Sequence, residues 1–130
     1  MLKTKIAVFV SGGGTNFEAL INAQENGKIP HGEIVLMVSS SKTAYALKRA
    51  ENHGIKSVVC SKKELGSQES FEEEILKNLE ENDIQLIVLA GFMSILSKEF
   101  TKKYENRIIN IHPSLIPSFC GEGFYGLHVH

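Results

Sequence analysis

Asn110 and His112 stand two positions apart in "NIHPSLIPSF", and Pro113 follows directly. On an extended strand, residues i and i+2 share a face. An amide and an imidazole therefore project together where the strand stops. The Asn amide can donate to a developing oxyanion, and a His can donate as imidazolium or move a proton. Such a pair suits addition to a carbonyl and collapse of a tetrahedral intermediate. Taken alone, Asn and His at a strand end are more often loop hydrogen-bonders, and Pro113 and Pro117 then only stiffen a turn.

A second stretch, "SGGGTN" at positions 11–16, offers different chemistry. Consecutive glycines expose backbone N–H groups, and a following helix directs its positive end at the same space. An anion, most simply a phosphate monoester, is the expected occupant; a tight turn that binds nothing is the alternative. A dinucleotide fingerprint fits less well, because Gly12-x-Gly14 would need a small residue where Phe17 stands. The second strand also ends in Ser39-Ser40-Ser41, with no acid for a ribose. The Lys-Ser/Thr pair of a nucleotide P-loop is missing too.

These residues need a scaffold, and the pattern of the chain supplies one. Short apolar runs at 5–10, 33–39, 57–60, 85–90 and 107–111 read as strands. Between them lie helical stretches: from Thr15 to about Asn26, Thr43–Asn52 stopped by Gly54, one opening at Ser67 or Ser70, and Lys98–Tyr104. Thr15 and Glu18 have the spacing of a capping box. In the helix after Ser70, Phe71, Ile75, Leu76 and Leu79 form one apolar stripe, and Glu72, Glu73, Glu74, Glu80 and Glu81 are expected to face solvent. Strands apolar on both faces and alternating with helices predict an α/β fold: a Rossmann-like, doubly wound, mostly parallel sheet with helices on both faces. Ligands in such sheets collect at the carboxyl ends of the strands, which singles out loops 11–16, 91–96 and 110–117.

Composition bounds the rest. The chain has 130 residues, 42% hydrophobic and 22% charged, the size and profile of one globular domain, 1–130. A net charge of −1 gives no electrostatic case for nucleic acid or an anionic membrane surface. No apolar run is long enough to span a bilayer, and no signal region precedes the first strand. Cys60 and Cys120 form neither a disulfide framework nor a zinc pattern, so both thiols read as structural in a reduced, cytoplasmic protein. His31 and His53 read as surface residues. His128 and His130 alone are too weak a pattern for a metal, and none is assigned.

"SGGGTN" after strand one, "LAGFMSIL" after strand four and "NIHPSLIPSF" after strand five together resemble the folate-dependent formyltransferases. The likeness covers essentially the whole chain, in order. The phosphate loop points to the branch acting on glycinamide ribonucleotide in purine synthesis, with 10-formyltetrahydrofolate as co-substrate. The resemblance implies that Gly14, Thr15 and Asn16 hold the ribonucleotide phosphate. It implies that Met93, Ser94, Ile95 and Leu96, with Gln68, line the folate pocket, that Asn110 serves both folate and chemistry, and that His112 is the proton donor. Without it, 93–96 would read as plain core packing. Partners are then small molecules, and a homodimer stays open. Two other functions also stay open: a formyltetrahydrofolate deformylase, and a non-catalytic phosphate-binding module.

The resemblance also marks departures. Position 94, often Arg in relatives, is Ser94, and position 68, often basic, is Gln68; both lie where the pterin or glutamyl tail would be touched. "CGEGFYG" extends the turn after Ser118. Relatives place an Asp downstream to hold the His, but Asp83 is the sole aspartate here, expected at the opposite end of the sheet. Glu122 is the only acid after Asn110, in a Gly-rich turn. The expectation is an amino-terminal fragment of the enzyme, with little or no transfer activity by itself. Its fifth strand should then show an exposed edge or an apolar face.

Overall fold

The computed structural model describes residues 3–42, 44–111 and 127–129. Its strands are β1 (Thr4–Val10), β2 (Gly32–Ser39), β3 (Lys56–Val59), β4 (Leu86–Ala90), β5 (Ile108–Ile111) and β6 (Leu127–Val129). They form one sheet in the order β3-β2-β1-β4-β5-β6. β1 to β5 run parallel, and β6 pairs antiparallel with β5. The helices are α1 (Thr15–Glu25), α2 (Ala46–Asn52), α3 (Lys62–Leu65), α4 (Gln68–Glu81) and α5 (Lys98–Lys103).

Alternation along the strands builds two cores. Ile6, Val8 and Val10 turn to one face, where Phe17, Leu20 and Ile21 of α1 and Ala46 and Ala50 of α2 cover them. Ala7 and Phe9 turn to the other, against Phe71, Ile75 and Leu79 of α4 and Phe100 of α5. A register shift between Ile6 and Ala7 leaves Val35 as the extra residue of β2, so that Leu36 and Val38 still meet the α4 face. Phe9 is held edge-on between Phe92 at 5.3 Å and Phe100 at 6.4 Å. The doubly wound parallel architecture read from the sequence is the one found.

Three local expectations are corrected. The capping box does not form. Gly14 takes the N-cap position in a left-handed conformation, with no side-chain cap, and Thr15 is already helical. α3 has no counterpart in the sequence reading, because its four residues carry no apolar period; Ser61 caps it, accepting from Glu64 N–H. The edge of the fifth strand is not exposed: Ile109, Asn110 and Ile111 pair with Val129, His128 and Leu127. On the α1 side, Leu86, Val88, Ile109 and Ile111 line an apolar cavity of about 220 Å³. Ser67 does cap α4, accepting from Ser70 N–H at 3.1 Å.

Candidate active site

Chain order reverses between β1 and β4: β1 leads outward to β2 and β3, and β4 leads the other way to β5. A doubly wound sheet opens a crevice at such a point, at the carboxyl ends of its strands. Two loops border it, 11–14 after β1 and 91–97 after β4.

The first loop is shaped by Gly14. Its φ of 81° is left-handed, and a Cβ there would lie 2.7 Å from Ala46 Cβ. Only glycine lets the turn pack this close to α2. Gly12 and Gly13 are exposed and border open space, with nothing within 4 Å of an added Cβ. The uncapped N-terminus of α1 opens beside them, its first intrahelical bond running from Glu18 N–H to Gly14 O at 2.8 Å. Exposed amides at a helix start, with no side chain answering them, are what an anion requires.

Glu18 is drawn elsewhere. It accepts from Arg49 Nη1 at 3.3 Å and lies 2.8 Å from His53 Nε2. Arg49 also donates from Nε to Gly13 O at 2.8 Å and stacks over the Tyr45 ring at 4.9 Å. Sequence reasoning missed Arg49, which lies 36 residues from the carbonyl that it holds. His53, expected at the surface, is instead 21% exposed and gripped between Glu18 and Glu25. Its hydrogen bond with Glu18 raises its pKa against the opposing effect of burial, and Glu25 adds to the rise. His31 is exposed, as expected.

The second loop leaves β4 through Gly91, at φ 75°. Met93 N–H donates to Ser11 Oγ at 2.7 Å, which ties this loop to the first; Ser40 Oγ donates to the same oxygen at 2.7 Å. Met93 and Ile95 are each 81% exposed, so they are not core residues. Large apolar side chains exposed two residues apart on one loop are the kind of surface that contacts a ligand or partner. Leu96 packs in part on the α4-side core. Ser94 and Leu96 join Leu89, Thr101 and Ile108 around a cavity of about 330 Å³.

α4 braces this loop. Gln68, expected at the folate pocket, donates from Nε2 to Glu72 Oε2 at 2.6 Å and to Ile95 O at 2.9 Å. Glu72 departs from the solvent-facing expectation: it is 9% exposed and bonded to Ser97. Glu73, Glu80 and Glu81 do face solvent.

Asn110 lies on β5 in register with Leu89 of β4. Its neighbours Ile109 and Ile111 pack on the α1 side, so alternation places Asn110 on the face of Ile108, beside the 330 Å³ cavity. His112, Pro113, Pro117, Cys120, Glu122, the "CGEGFYG" turn and His130 lie outside the described residues. Asp83 precedes β4 at the amino end of the sheet, exposed and 3.8 Å from Lys5 Nζ, far from the crevice as expected. Cys60 is buried, which pushes its thiol up to about 12. Among the described residues, no group of three or more His, Cys, Asp or Glu is placed to hold a metal. No described helix is long and apolar enough to cross a membrane.

In this doubly wound sheet an uncapped glycine turn thus stands beside a loop with exposed apolar side chains. Residues 4–130 match the formyl transferase family, and the chain belongs to it. It is 39% identical over 121 residues to phosphoribosylglycinamide formyltransferase of Haemophilus influenzae, a match covering 93% of this chain and 57% of that protein. It is 47% identical over 125 residues to the trifunctional purine biosynthetic protein adenosine-3 of Gallus gallus, covering 96% of this chain and 12% of that one. The solved phosphoribosylglycinamide formyltransferase of Coxiella burnetii superposes with a TM-score of 0.80 at 42% identity, over 88% of this chain and 54% of that one. The chain thus spans little more than half of the shorter relatives' length.

Proposed function

We propose that the protein transfers a formyl group from 10-formyltetrahydrofolate to the amine of glycinamide ribonucleotide. The amides of Gly14, Thr15 and Asn16 take the phosphate at the start of α1. Met93, Ser94, Ile95 and Leu96, with Gln68, take the folate. The substrate amine attacks the formyl carbon. Asn110 and protonated His112 donate to the oxyanion of the tetrahedral intermediate. As the intermediate collapses, the bond to the folate nitrogen breaks and His112 delivers a proton to that nitrogen. The attacking nitrogen, cationic after addition, gives up one proton to solvent, which returns one to His112.

The observation that carries this reading is the 2.7 Å hydrogen bond from Met93 N–H to Ser11 Oγ. It sets an uncapped glycine turn and an exposed apolar loop side by side, which supports a reading in which two different ligands meet in one crevice. A module for phosphate alone has no use for Met93 and Ile95 held out of the core.

The test is tetrahydrofolate release by the protein at its full natural length, with and without glycinamide ribonucleotide. Release that depends on the ribonucleotide is expected. Release at the same rate with water alone would favour a deformylase, and absence of folate binding would leave a phosphate-binding module.

A further inference from the structure

Loop 91–97 has no regular structure of its own, yet it presents Met93 and Ile95 outward. Such a loop needs an anchor, and Glu72 provides one from 25 residues away. Its Oε1 accepts from Ser97 Oγ at 2.6 Å, and its Oε2 accepts from Ser97 N–H at 2.6 Å and Gln68 Nε2 at 2.6 Å. Ser97 Oγ also accepts from Phe100 N–H at 3.2 Å, capping α5, while Gln68 reaches on to Ile95 O. One carboxylate therefore joins α4, the far end of the loop and the start of α5. The near end is fixed separately, by Ser11 at Met93 N–H.

We propose that Glu72 is a positioning residue of the formyl-donor pocket: through Ser97 and Gln68 it holds loop 91–97 so that Met93 and Ile95 face the folate ligand. This rests on the reading of 93–96 as the donor site. Burying a carboxylate costs stability unless its oxygens are fully bonded. An apolar side chain next to Phe71 would stabilise α4 at least as well as a bonded carboxylate. What only the carboxylate does here is grip a serine amide, a serine hydroxyl and a glutamine amide at once. Burial alone would raise its pKa, but the Ser97 hydroxyl, the Ser97 amide and Gln68 together lower it, so it stays an anion at neutral pH.

The experiment compares wild type, Glu72→Ala, Glu72→Gln, Glu72→Asp and Ser97→Ala in the protein at full natural length. Steady-state kinetics are measured in both substrates, and tetrahydrofolate binding by titration calorimetry. For Glu72→Ala, the KM for the formyl donor and the Kd for tetrahydrofolate should each rise roughly tenfold, the worth of a charged hydrogen bond lost to ligand positioning. The KM for glycinamide ribonucleotide should stay unchanged. Glu72→Gln and Ser97→Ala should move the same way by less, and Glu72→Asp should recover part of the loss. Should Glu72→Ala fail to fold, Glu72→Gln and Ser97→Ala carry the test. A lower melting temperature with unchanged donor KM and Kd would make Glu72 a scaffold residue and overturn the proposal while leaving the donor site intact. An equal rise in both KM values would overturn it as well. A wild-type protein that binds no tetrahydrofolate would overturn the donor site itself, and the proposal with it.

Discussion

Replacing Gly14 by alanine tests whether the β1–α1 turn is built by close approach or merely by flexibility. The left-handed φ of 81° costs a residue with a Cβ about 1–2 kcal/mol. The new methyl carbon would lie 2.7 Å from Ala46 Cβ and 3.1 Å from Ala46 Cα. Neither atom belongs to a flexible side-chain tip, so α2 itself must move, at about 1–3 kcal/mol. The loss is about 2–5 kcal/mol in all, a large part of the 5–15 kcal/mol of a typical domain. Gly12→Ala and Gly13→Ala are the comparison. They meet no atom within 4 Å and have no left-handed φ, so they should be neutral or gain about 0.4–1 kcal/mol. Their methyl groups would nonetheless occupy the space assigned to the phosphate, and the KM for glycinamide ribonucleotide should rise. Denaturant midpoints at constant slope read the first effect, and initial rates the second. A wild-type midpoint in Gly14→Ala would refute the close-approach argument. Wild-type KM values in both other variants would refute the phosphate loop.

Asn110→Ala and His112→Ala should each lower kcat by roughly 10²–10³, the cost of one oxyanion donor, and a wild-type kcat in either would sink the assigned roles. Cys60, its thiol pushed up to about 12 by burial and then by Glu74, should resist alkylation at neutral pH until the protein unfolds. Rapid labelling of native protein would contradict its burial. His53 has a raised folded pKa, so its contribution to stability is complete below the ordinary value of 6.5 and is lost as pH rises through the folded value. Denaturation midpoints should therefore fall from about pH 6 to about pH 8 more in wild type than in His53→Gln. Equal pH dependence in the two would show that Glu18 and Glu25 do not stabilise the charged ring.

The fold was legible because its signals are local and repeated. Five apolar runs alternating with helical stretches admit few arrangements other than a parallel sheet covered on both sides. The glycine turn was legible for the same reason, since three glycines before a helix constrain the backbone directly. Phe17 both argued against a dinucleotide site and, fully buried between α1 and the sheet, proved to be a core residue. The capping box failed because its two positions carried the right residue types, while Gly14, one residue earlier, had the conformation that decided the N-cap. β6 gave no signal, as three residues cannot establish a period of two.

What the sequence hid was the bracing of both loops. Glu72 is one of six glutamates on α4, and its neighbours make the solvated reading natural. Helical phase held a hint: Glu72 directly follows Phe71 and lies three residues before Ile75, so it borders the apolar stripe rather than opposing it. Phase cannot say whether a polar residue at such a border finds a partner, because the partner is set by packing. Here it is Ser97, at the start of a helix whose place depends on β4 and the loop after it. Arg49 is hidden in the same way, its reach to Gly13 O fixed only once α2 packs on the glycine turn. In both loops the residues proposed to meet ligands are consecutive and readable, while Arg49 and Glu72, which brace the loops, come from neighbouring helices. A change at Glu72 or Arg49 is thus expected to alter ligand affinity without touching any position that a motif would name.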